Sequence, residues 1–341
     1  MAECCCSSIG SCCPSETISV STVSTVLTIK DVLGAWKVRW GIGRDNYMVE
    51  PGLYAVGKPD RTSPVLVSAN YKLTFDIVRK NITGLNCWLL ILDTKGINVW
   101  CAAGKGTFGT DELVSRIENT GLSDIVEHRK LIVPQLGATG ISSYEVTKRT
   151  GFSVIYGPVR SSDIKDFIST DYTATKEMRT VKFTFWDRLV LVPMEVVPTI
   201  KISFLVFGVM FLLNLFVARS FGFADFLVYI AAVFAGAVFT PVFLPFIPGK
   251  AFSFKGWLIG AIITAFIVYL FGWYRPPFLI IGIGYMLALP AHSAFLALNF
   301  TGASTYTSFS GVIKEMKIAI PLIILSVVAG LVLVLIKSFI G

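Results

Sequence analysis

The chain has 341 residues, of which 54% are hydrophobic and 15% are charged, against roughly 25% charged residues in soluble globular domains. The first 200 residues carry 22 Lys and Arg against 20 Asp and Glu, whereas the last 141 residues carry 8 against 2. So few charges cannot make the surface of the second half soluble in water. The composition therefore excludes a simple soluble enzyme and indicates a polar N-terminal half joined to a C-terminal half that lies in a membrane.

The first 28 residues are rich in Cys, Ser and Thr and lack apolar periodicity, which predicts a disordered tail. Residues 29–174 contain five short apolar stretches that we predict as strands: 36–40, 65–68, 88–92, 131–133 and 153–156. Three further stretches have helical spacing, two of them between predicted strands and one after the last: 71–81, 111–119 and 162–169. This alternation predicts a Rossmann-like α/β domain with a mainly parallel sheet, whose ligands bind at loops beyond the carboxyl ends of the strands.

Residues 175–199 are basic, then aromatic and amphipathic, which predicts a linker along a membrane surface or, alternatively, a plain hinge. Residues 200–341 predict an all-α transmembrane domain of five helices, because five uncharged runs are each about long enough to cross a bilayer: 202–218, 226–247, 256–274, 276–300 and 318–336. Lysines concentrate in the loops after the second and fourth runs. The positive-inside rule then predicts a multi-pass protein of the cell (inner) membrane with its N-terminal domain in the cytoplasm.

The glycines of residues 98–110 form one candidate binding motif. Gly104, Gly106 and Gly109 have the G-x-G-x-x-G spacing with which backbone amides approach a pyrophosphate at a helix N-terminus. A dinucleotide fold also needs an acidic residue about 20 positions further on at a strand end, and the acidic residues found there fall where no strand is predicted. A membrane-anchored dinucleotide-binding oxidoreductase or sensor remains an alternative, as does a transporter with a cytoplasmic regulatory domain.

Cys101 is the second candidate in the same segment. A single cysteine in an apolar stretch is most often an inert core residue, but the small side chains of Ala102 and Ala103 would let a large planar ligand approach the sulfur closely. A nearby helix N-terminus and Lys105 would lower the pKa of the thiol. Since the N-terminal half offers a single histidine as a base, a Cys-His hydrolase is disfavoured and a soft metal ligand is the better interpretation.

Residues 98–110 resemble the signature of the mercury-methylating corrinoid proteins of anaerobic microbes, whose soluble domain is related to the corrinoid iron-sulfur protein of the acetyl-CoA pathway. Residues 134–138 and 156–160 resemble cofactor-facing loops of that domain. The predicted order of an α/β domain followed by five transmembrane helices also resembles the architecture of this family.

The resemblance implies a cobalamin-type corrinoid, bound base-off, with Cys101 as the lower axial ligand to cobalt. It implies methyl transfer from methyl-Co(III) to Hg(II), giving methylmercury, because a strong donor trans to the methyl group favours transfer to an electrophile. The implied cofactor-binding residues are Asn98, Val99, Trp100, Cys101, Ala102, Ala103, Gly104, Gly106, Thr107, Gln135, Gly137, Ala138, Gly157 and Pro158.

The resemblance further implies two partners: a small ferredoxin with two 4Fe-4S clusters as electron donor, and a methyl donor linked to methyltetrahydrofolate. Nucleic acid is not an expected partner, because the basic residues are scattered. The tail cysteines lack the C-x-x-C spacing of a structural metal site but suit capture of Hg(II), with a loosely constrained tail as the alternative: Cys4, Cys5, Cys6, Cys12 and Cys13.

Overall fold

The computed structural model describes residues 20–216, 221–306 and 308–340. These residues form two compact units. The N-terminal unit contains the described residues up to Ala35 together with Gly43–Thr180, and the C-terminal unit contains Trp36–Ile42 and the described residues from Val181 onward. The predicted tail cysteines lie outside the described residues.

Six strands of the described chain form one sheet in the N-terminal unit: β1 (Ser21–Val23), β2 (Gly52–Val56), β3 (Val65–Ala69), β4 (Cys87–Leu92), β5 (Lys130–Val133) and β6 (Ser153–Tyr156). Their order is β1-β2-β4-β3-β5-β6, and each described pair is parallel except β2 with β4. The central strands are almost continuously apolar because both faces of the sheet are covered. The prediction of an α/β domain with a mainly parallel sheet is therefore confirmed.

The helices in this part of the described chain are α1 (Ile29–Arg39), α2 (Lys72–Asn81), α3 (Val99–Lys105), α4 (Thr110–Asn119), α5 (Leu122–Ile125), α6 (Ser143–Thr150) and α7 (Ile164–Ser169). Helices α2 to α7 cover the two faces of the sheet. Alternate residues of β3, β4 and β5 pack against α3, α4 and α6 on one face. The intervening residues pack against α2 and α7 on the other face. This alternation is the period-two pattern of a strand with two buried faces.

Two predictions near the start of the chain are wrong. The stretch 36–40 lies in or directly after α1 rather than in a strand. Thr28 and Asp31 form a reciprocal cap, in which the Thr28 backbone N–H donates to Asp31 Oδ2 at 2.9 Å and the Asp31 N–H donates to Thr28 Oγ1 at 3.3 Å, a helix-start signal that outweighs the local β propensity. The last part of the predicted tail forms β1, which pairs with β2.

The described C-terminal unit is helical: α8 (Phe185–Leu189), α9 (Val192–Phe216), α10 (Phe223–Phe234), a π-helical turn (Ala235–Phe239), α11 (Thr240–Phe243), α12 (Phe252–Leu270), α13 (Leu279–Asn299) and α14 (Phe309–Ile340). Five segments of the described residues are long and apolar enough to cross a membrane: Phe185–Leu212, Phe223–Phe243, Phe252–Leu270, Leu279–Gly302 and Ser310–Lys337. The described residues thus contain as many helical segments of sufficient length and apolar composition as the sequence predicts. The first segment begins inside the predicted linker 175–199, which is largely helical from residue 185.

Candidate functional site

The connection from β4 to α3 is fixed by the buried side chain of Asn70, which follows β3. Asn70 Oδ1 accepts hydrogen bonds from the Thr94 N–H at 3.1 Å, the Thr94 hydroxyl at 2.9 Å and the Gly96 N–H at 3.0 Å. Its Nδ2 donates to Asp93 Oδ1 at 3.2 Å. One side chain thereby satisfies several polar groups of a loop that carries no regular secondary structure, and it holds the residues that lead into α3.

α3 presents Cys101 to solvent from its first turn. Asn98 is the N-cap, and its Oδ1 accepts a hydrogen bond from the Cys101 N–H at 3.0 Å. Val99, Ala102 and Ala103 face inward and are buried in the core beneath the helix. The free thiol of Cys101 is exposed. A short helix with one buried side and one capped end therefore holds the thiol in a defined position at the surface of the unit.

Two glycines of the neighbouring loop after β5, Gly137 and Gly140, allow close packing against the residues that follow α3. A Cβ on Gly140 would lie 2.1 Å from the Phe108 carbonyl oxygen, and one on Gly137 would lie 2.4 Å from Phe108 Cε1. Both glycines are therefore required for close packing against the loop that follows α3. Gly106 ends α3 at a positive φ of 82°, which favours glycine.

A cleft of about 340 Å³ lies at the carboxyl edge of the sheet, beside α3. Its walls are mostly apolar, and the residues that line it include Ser68, Thr74, Ile77, Val78, Asn98, Val99, Trp100, Pro134, Leu136, Gly157, Pro158 and Val159. The Ser68 hydroxyl is buried and has no hydrogen-bond partner among the described residues. Buried polar groups are normally satisfied, so this hydroxyl calls for a polar group from a ligand or water in the cleft.

The cleft brings together five of the predicted cofactor-binding residues: Asn98, Val99, Trp100, Gly157 and Pro158. Cys101 follows Trp100 directly but is not part of the cleft wall. The predicted residue Gln135 accepts a hydrogen bond from Arg179 Nη1 at 2.6 Å. Gly104 lies at the exposed surface of α3, Thr107 is half-buried after it, and Ala138 is half-buried beside Gly137.

Sequence reasoning missed the cleft residues of β3 and α2, Ser68, Thr74 and Ile77. No short motif contains them, because they meet the α3 segment through the fold rather than along the chain. A serine at the end of an otherwise apolar strand was the available signal for Ser68.

The glycine motif does not have the arrangement that a dinucleotide fold requires. β4 ends at Leu92, and the motif begins inside α3 rather than directly after the strand. Gly104 is within α3, Gly106 is its C-cap, and Gly109 is the N-cap of α4. The motif therefore connects two helices instead of forming the strand-to-helix turn that cradles a pyrophosphate, and the dinucleotide alternative lacks its structural context.

The two described cysteines occupy opposite environments. Cys87 is completely buried at the start of β4, and burial raises the pKa of its thiol to about 12. A buried thiol of this kind is an inert core residue. Cys101 is therefore the described cysteine that a ligand can reach.

Comparison with known proteins places the N-terminal unit near one group of enzymes. Residues 29–168 match the family model described as CO dehydrogenase/acetyl-CoA synthase delta subunit. The acetyl-CoA decarbonylase/synthase complex subunit gamma of Methanopyrus kandleri is 37% identical over 130 residues, which are 38% of this chain and 28% of that protein. The subunit gamma of Methanocaldococcus jannaschii is 36% identical over 129 residues, 36% of this chain and 25% of that protein.

The chain thus spans about a quarter of the length of these curated relatives. The similarity confirms that part of the prediction which relates the α/β domain to proteins of the acetyl-CoA pathway.

Proposed function

We propose that the chain is a corrinoid-dependent methyltransferase that transfers a methyl group to Hg(II), with the Cys101 thiolate as the lower axial ligand to cobalt. The observation that carries the proposal is the exposed thiol of Cys101 in the capped first turn of α3, next to the carboxyl-edge cleft. The similarity to acetyl-CoA decarbonylase/synthase subunits supports a one-carbon transfer reaction.

The residues present fit a large, flat, partly apolar ligand such as a corrinoid. Val99, Leu136 and Pro158 give the cleft apolar walls, and the unsatisfied Ser68 hydroxyl offers a hydrogen bond to a polar substituent. Trp100 is 43% exposed at the edge of the cleft and adds a broad planar surface next to Cys101. The cleft alone is small, so we expect the ligand to extend over the exposed side of α3.

When bound, the corrinoid would supply a cobalt-held methyl group, and a thiolate donor to the cobalt, from Cys101, would make that group transferable to an electrophile. The chain's own residues do the positioning. The Asn98 cap fixes the backbone of Cys101, and the buried Ala102 and Ala103 prevent α3 from rotating on the core. The Asn70 network holds the loop that delivers α3, so the sulfur is preorganised rather than carried on a mobile segment.

The remaining sequence predictions are part of the same proposal. The five apolar helices would anchor the chain in the cell membrane with the N-terminal unit in the cytoplasm, as the loop lysines indicate. A small ferredoxin with two 4Fe-4S clusters would reduce the spent cobalt, and a donor linked to methyltetrahydrofolate would supply the methyl group. Cys4, Cys5, Cys6, Cys12 and Cys13 would capture Hg(II) for the site.

A second candidate function is favoured by the comparisons: a methyl carrier that serves an acetyl-CoA decarbonylase/synthase type of complex. It would use the same cleft and the same thiol but a different methyl acceptor. The two candidates therefore differ in the acceptor and not in the cofactor site.

The test uses the full chain, purified without oxygen and supplied with cobalamin, alongside the Cys101→Ala and Cys101→Ser variants. We expect a base-off visible spectrum with a feature that depends on the thiolate and is lost in both variants. The methylated protein should then convert Hg(II) to methylmercury. A native chain that folds but binds no cobalamin overturns the cofactor proposal, and a Cys101→Ala variant with full methylation overturns the axial role. Transfer of the methyl group to another acceptor but not to Hg(II) favours the second candidate.

A further inference from the structure

The C-terminal unit contains a groove of about 1150 Å³ between α12, α13 and α14. Its volume exceeds the roughly 300–1,000 Å³ of pockets that hold drug-sized ligands. Small and aliphatic side chains form most of its walls, among them Ala291, Ala294, Ala319, Leu322 and Leu325. Such a groove suits a long apolar chain rather than a compact polar molecule.

The polar groups of the groove gather at the end where α12 and α14 begin. Glu315 Oε1 accepts hydrogen bonds from the Ser253 N–H at 2.7 Å and the Ser253 hydroxyl at 2.8 Å, which places the starts of the two helices side by side. Further along α14, the Ser326 hydroxyl donates to the Leu287 carbonyl of α13 at 2.8 Å. The end of the groove where α12 and α14 begin, which we call its mouth, is therefore polar, and the walls along the rest of the groove are mostly apolar.

The mouth carries a net positive charge. Its charged lining residues in the described chain are Lys250, Lys314 and Glu315, which together amount to one excess positive charge. The carboxylate of Glu315 is already engaged by the first turn of α12, where the helix dipole adds further positive potential. Lys250 lies in the loop before α12 and Lys314 in the second turn of α14, and the positive-inside rule assigns these ends of the helices to the cytoplasmic side.

We propose that this groove binds an anionic phospholipid, with the phosphate headgroup at Lys250 and Lys314 and an acyl chain along α12, α13 and α14. This inference is independent of the corrinoid proposal and rests on the five apolar helices spanning a membrane. Basic sites between transmembrane helices on the cytoplasmic side recognise anionic headgroups in this way. A zwitterionic lipid would match the apolar walls but would leave the excess positive charge of the mouth unmatched.

The experiment is native mass spectrometry of the full chain, purified in detergent, stripped of lipid and offered equal amounts of phosphatidylglycerol and phosphatidylcholine. We expect the native chain to retain phosphatidylglycerol about fivefold more often than phosphatidylcholine, or more. The Lys250→Gln/Lys314→Gln variant should lose this preference while still binding apolar chains, and Lys250→Arg/Lys314→Arg should keep it.

A charge-matched control, Lys201→Gln/Lys337→Gln, removes two lysines of the same unit that do not line the groove and should keep the preference. A groove-filling variant, Ala291→Leu/Ala319→Leu, should reduce the retention of both lipids. Equal retention of the two lipids by the native chain would overturn the proposal. The proposal would also be overturned if the control variant lost the preference for phosphatidylglycerol as fully as the Lys250/Lys314 variant. It would be overturned as well if the native chain were a lipid-free dimer that the groove-filling variant converts to monomers, because a second copy would then occupy the groove.

Discussion

Asn98 Oδ1 accepts a hydrogen bond from the backbone N–H of Cys101 at 3.0 Å, so the residue that caps α3 also holds the residue that we propose as the cobalt ligand. The cap links local helix formation to the chemistry of the site, because it satisfies an amide of the first turn that has no partner within the helix.

The first prediction concerns this cap. Asn98→Ala should destabilise α3 by about 1 kcal/mol, which would show as faster hydrogen exchange in residues 99–105. It should also broaden or weaken the thiolate-dependent cobalamin spectrum while Cys101 remains present. Asn98→Asp keeps a capping oxygen and serves as the control. Unchanged exchange in Asn98→Ala would show that the cap does not hold α3.

The second prediction concerns the Asn70 network. Asn70→Ala leaves the backbone amides of Thr94 and Gly96 without their acceptor in a largely buried loop, which should cost about 2–3 kcal/mol of local stability. The Thr94 hydroxyl keeps the Ile97 carbonyl as its acceptor. Hydrogen exchange at Thr94 and Gly96 should accelerate by more than about tenfold. Asn119→Ala, at an exposed helix end, is the matched control. Equal exchange at Thr94 and Gly96 in both variants would contradict the positioning role of Asn70.

The third prediction concerns pH. Burial alone would raise the pKa of Asp31, but hydrogen bonds from Lys72, Thr28 and Arg79 outweigh it and hold the pKa well below its ordinary value. A lowered pKa in the folded state stabilises the protein above the ordinary carboxyl pKa of about 3.9, and this contribution is lost as the pH falls below that value.

Exchange of the α1 and α2 amides should therefore accelerate in the native chain as the pH drops from about 5 to 3, after correction for the intrinsic pH dependence. Asp31→Asn should be less stable than the native chain at pH 7 and should show a smaller change on acidification. If the two proteins respond equally, the ion-pair network does not tie α1 to α2.

The fourth prediction concerns thiol reactivity. N-ethylmaleimide should modify Cys101 at neutral pH and leave Cys87 unmodified in the folded chain, because Cys87 is buried and its pKa is raised to about 12. Peptide mapping by mass spectrometry measures both sites. Added cobalamin should protect Cys101. Labelling of Cys101 that is equally fast with and without cobalamin would argue against direct contact between the thiol and the cofactor.

The fifth prediction concerns Ser68. Removing its buried, unsatisfied hydroxyl in Ser68→Ala should leave the ligand-free protein equally or more stable, by up to about 1 kcal/mol. Cobalamin affinity should fall, because the cleft loses its hydrogen-bonding group. Ser123→Ala, at the surface, should change neither quantity. Loss of stability without loss of affinity would show that Ser68 serves the core and not the ligand.

The strands β3, β4, β5 and β6 could be predicted from sequence because they are short, largely apolar runs, whereas β1 and β2 were not predicted. The strand predicted at 36–40 was wrong because its aromatic residues continue the helical spacing that begins at Ile29, behind the Thr28 cap. α3 was not expected as a helix, since seven residues containing a glycine give little periodic signal. Ser68 and Ile77 lie far in sequence from α3, so no local sequence pattern could predict that they line the same cleft.

The order of the strands has a consequence for how the site can change. The connection after β3 runs to α2 on one face of the sheet, whereas the connection after the neighbouring β4 runs to α3 on the other face. Two adjacent strands whose connections diverge leave a crevice between them, the topological switch point of an open α/β sheet. The crevice is therefore produced by the path of the backbone. Substitutions along it will change which molecule enters and how tightly it is held, while the opening itself persists as long as the strand order does.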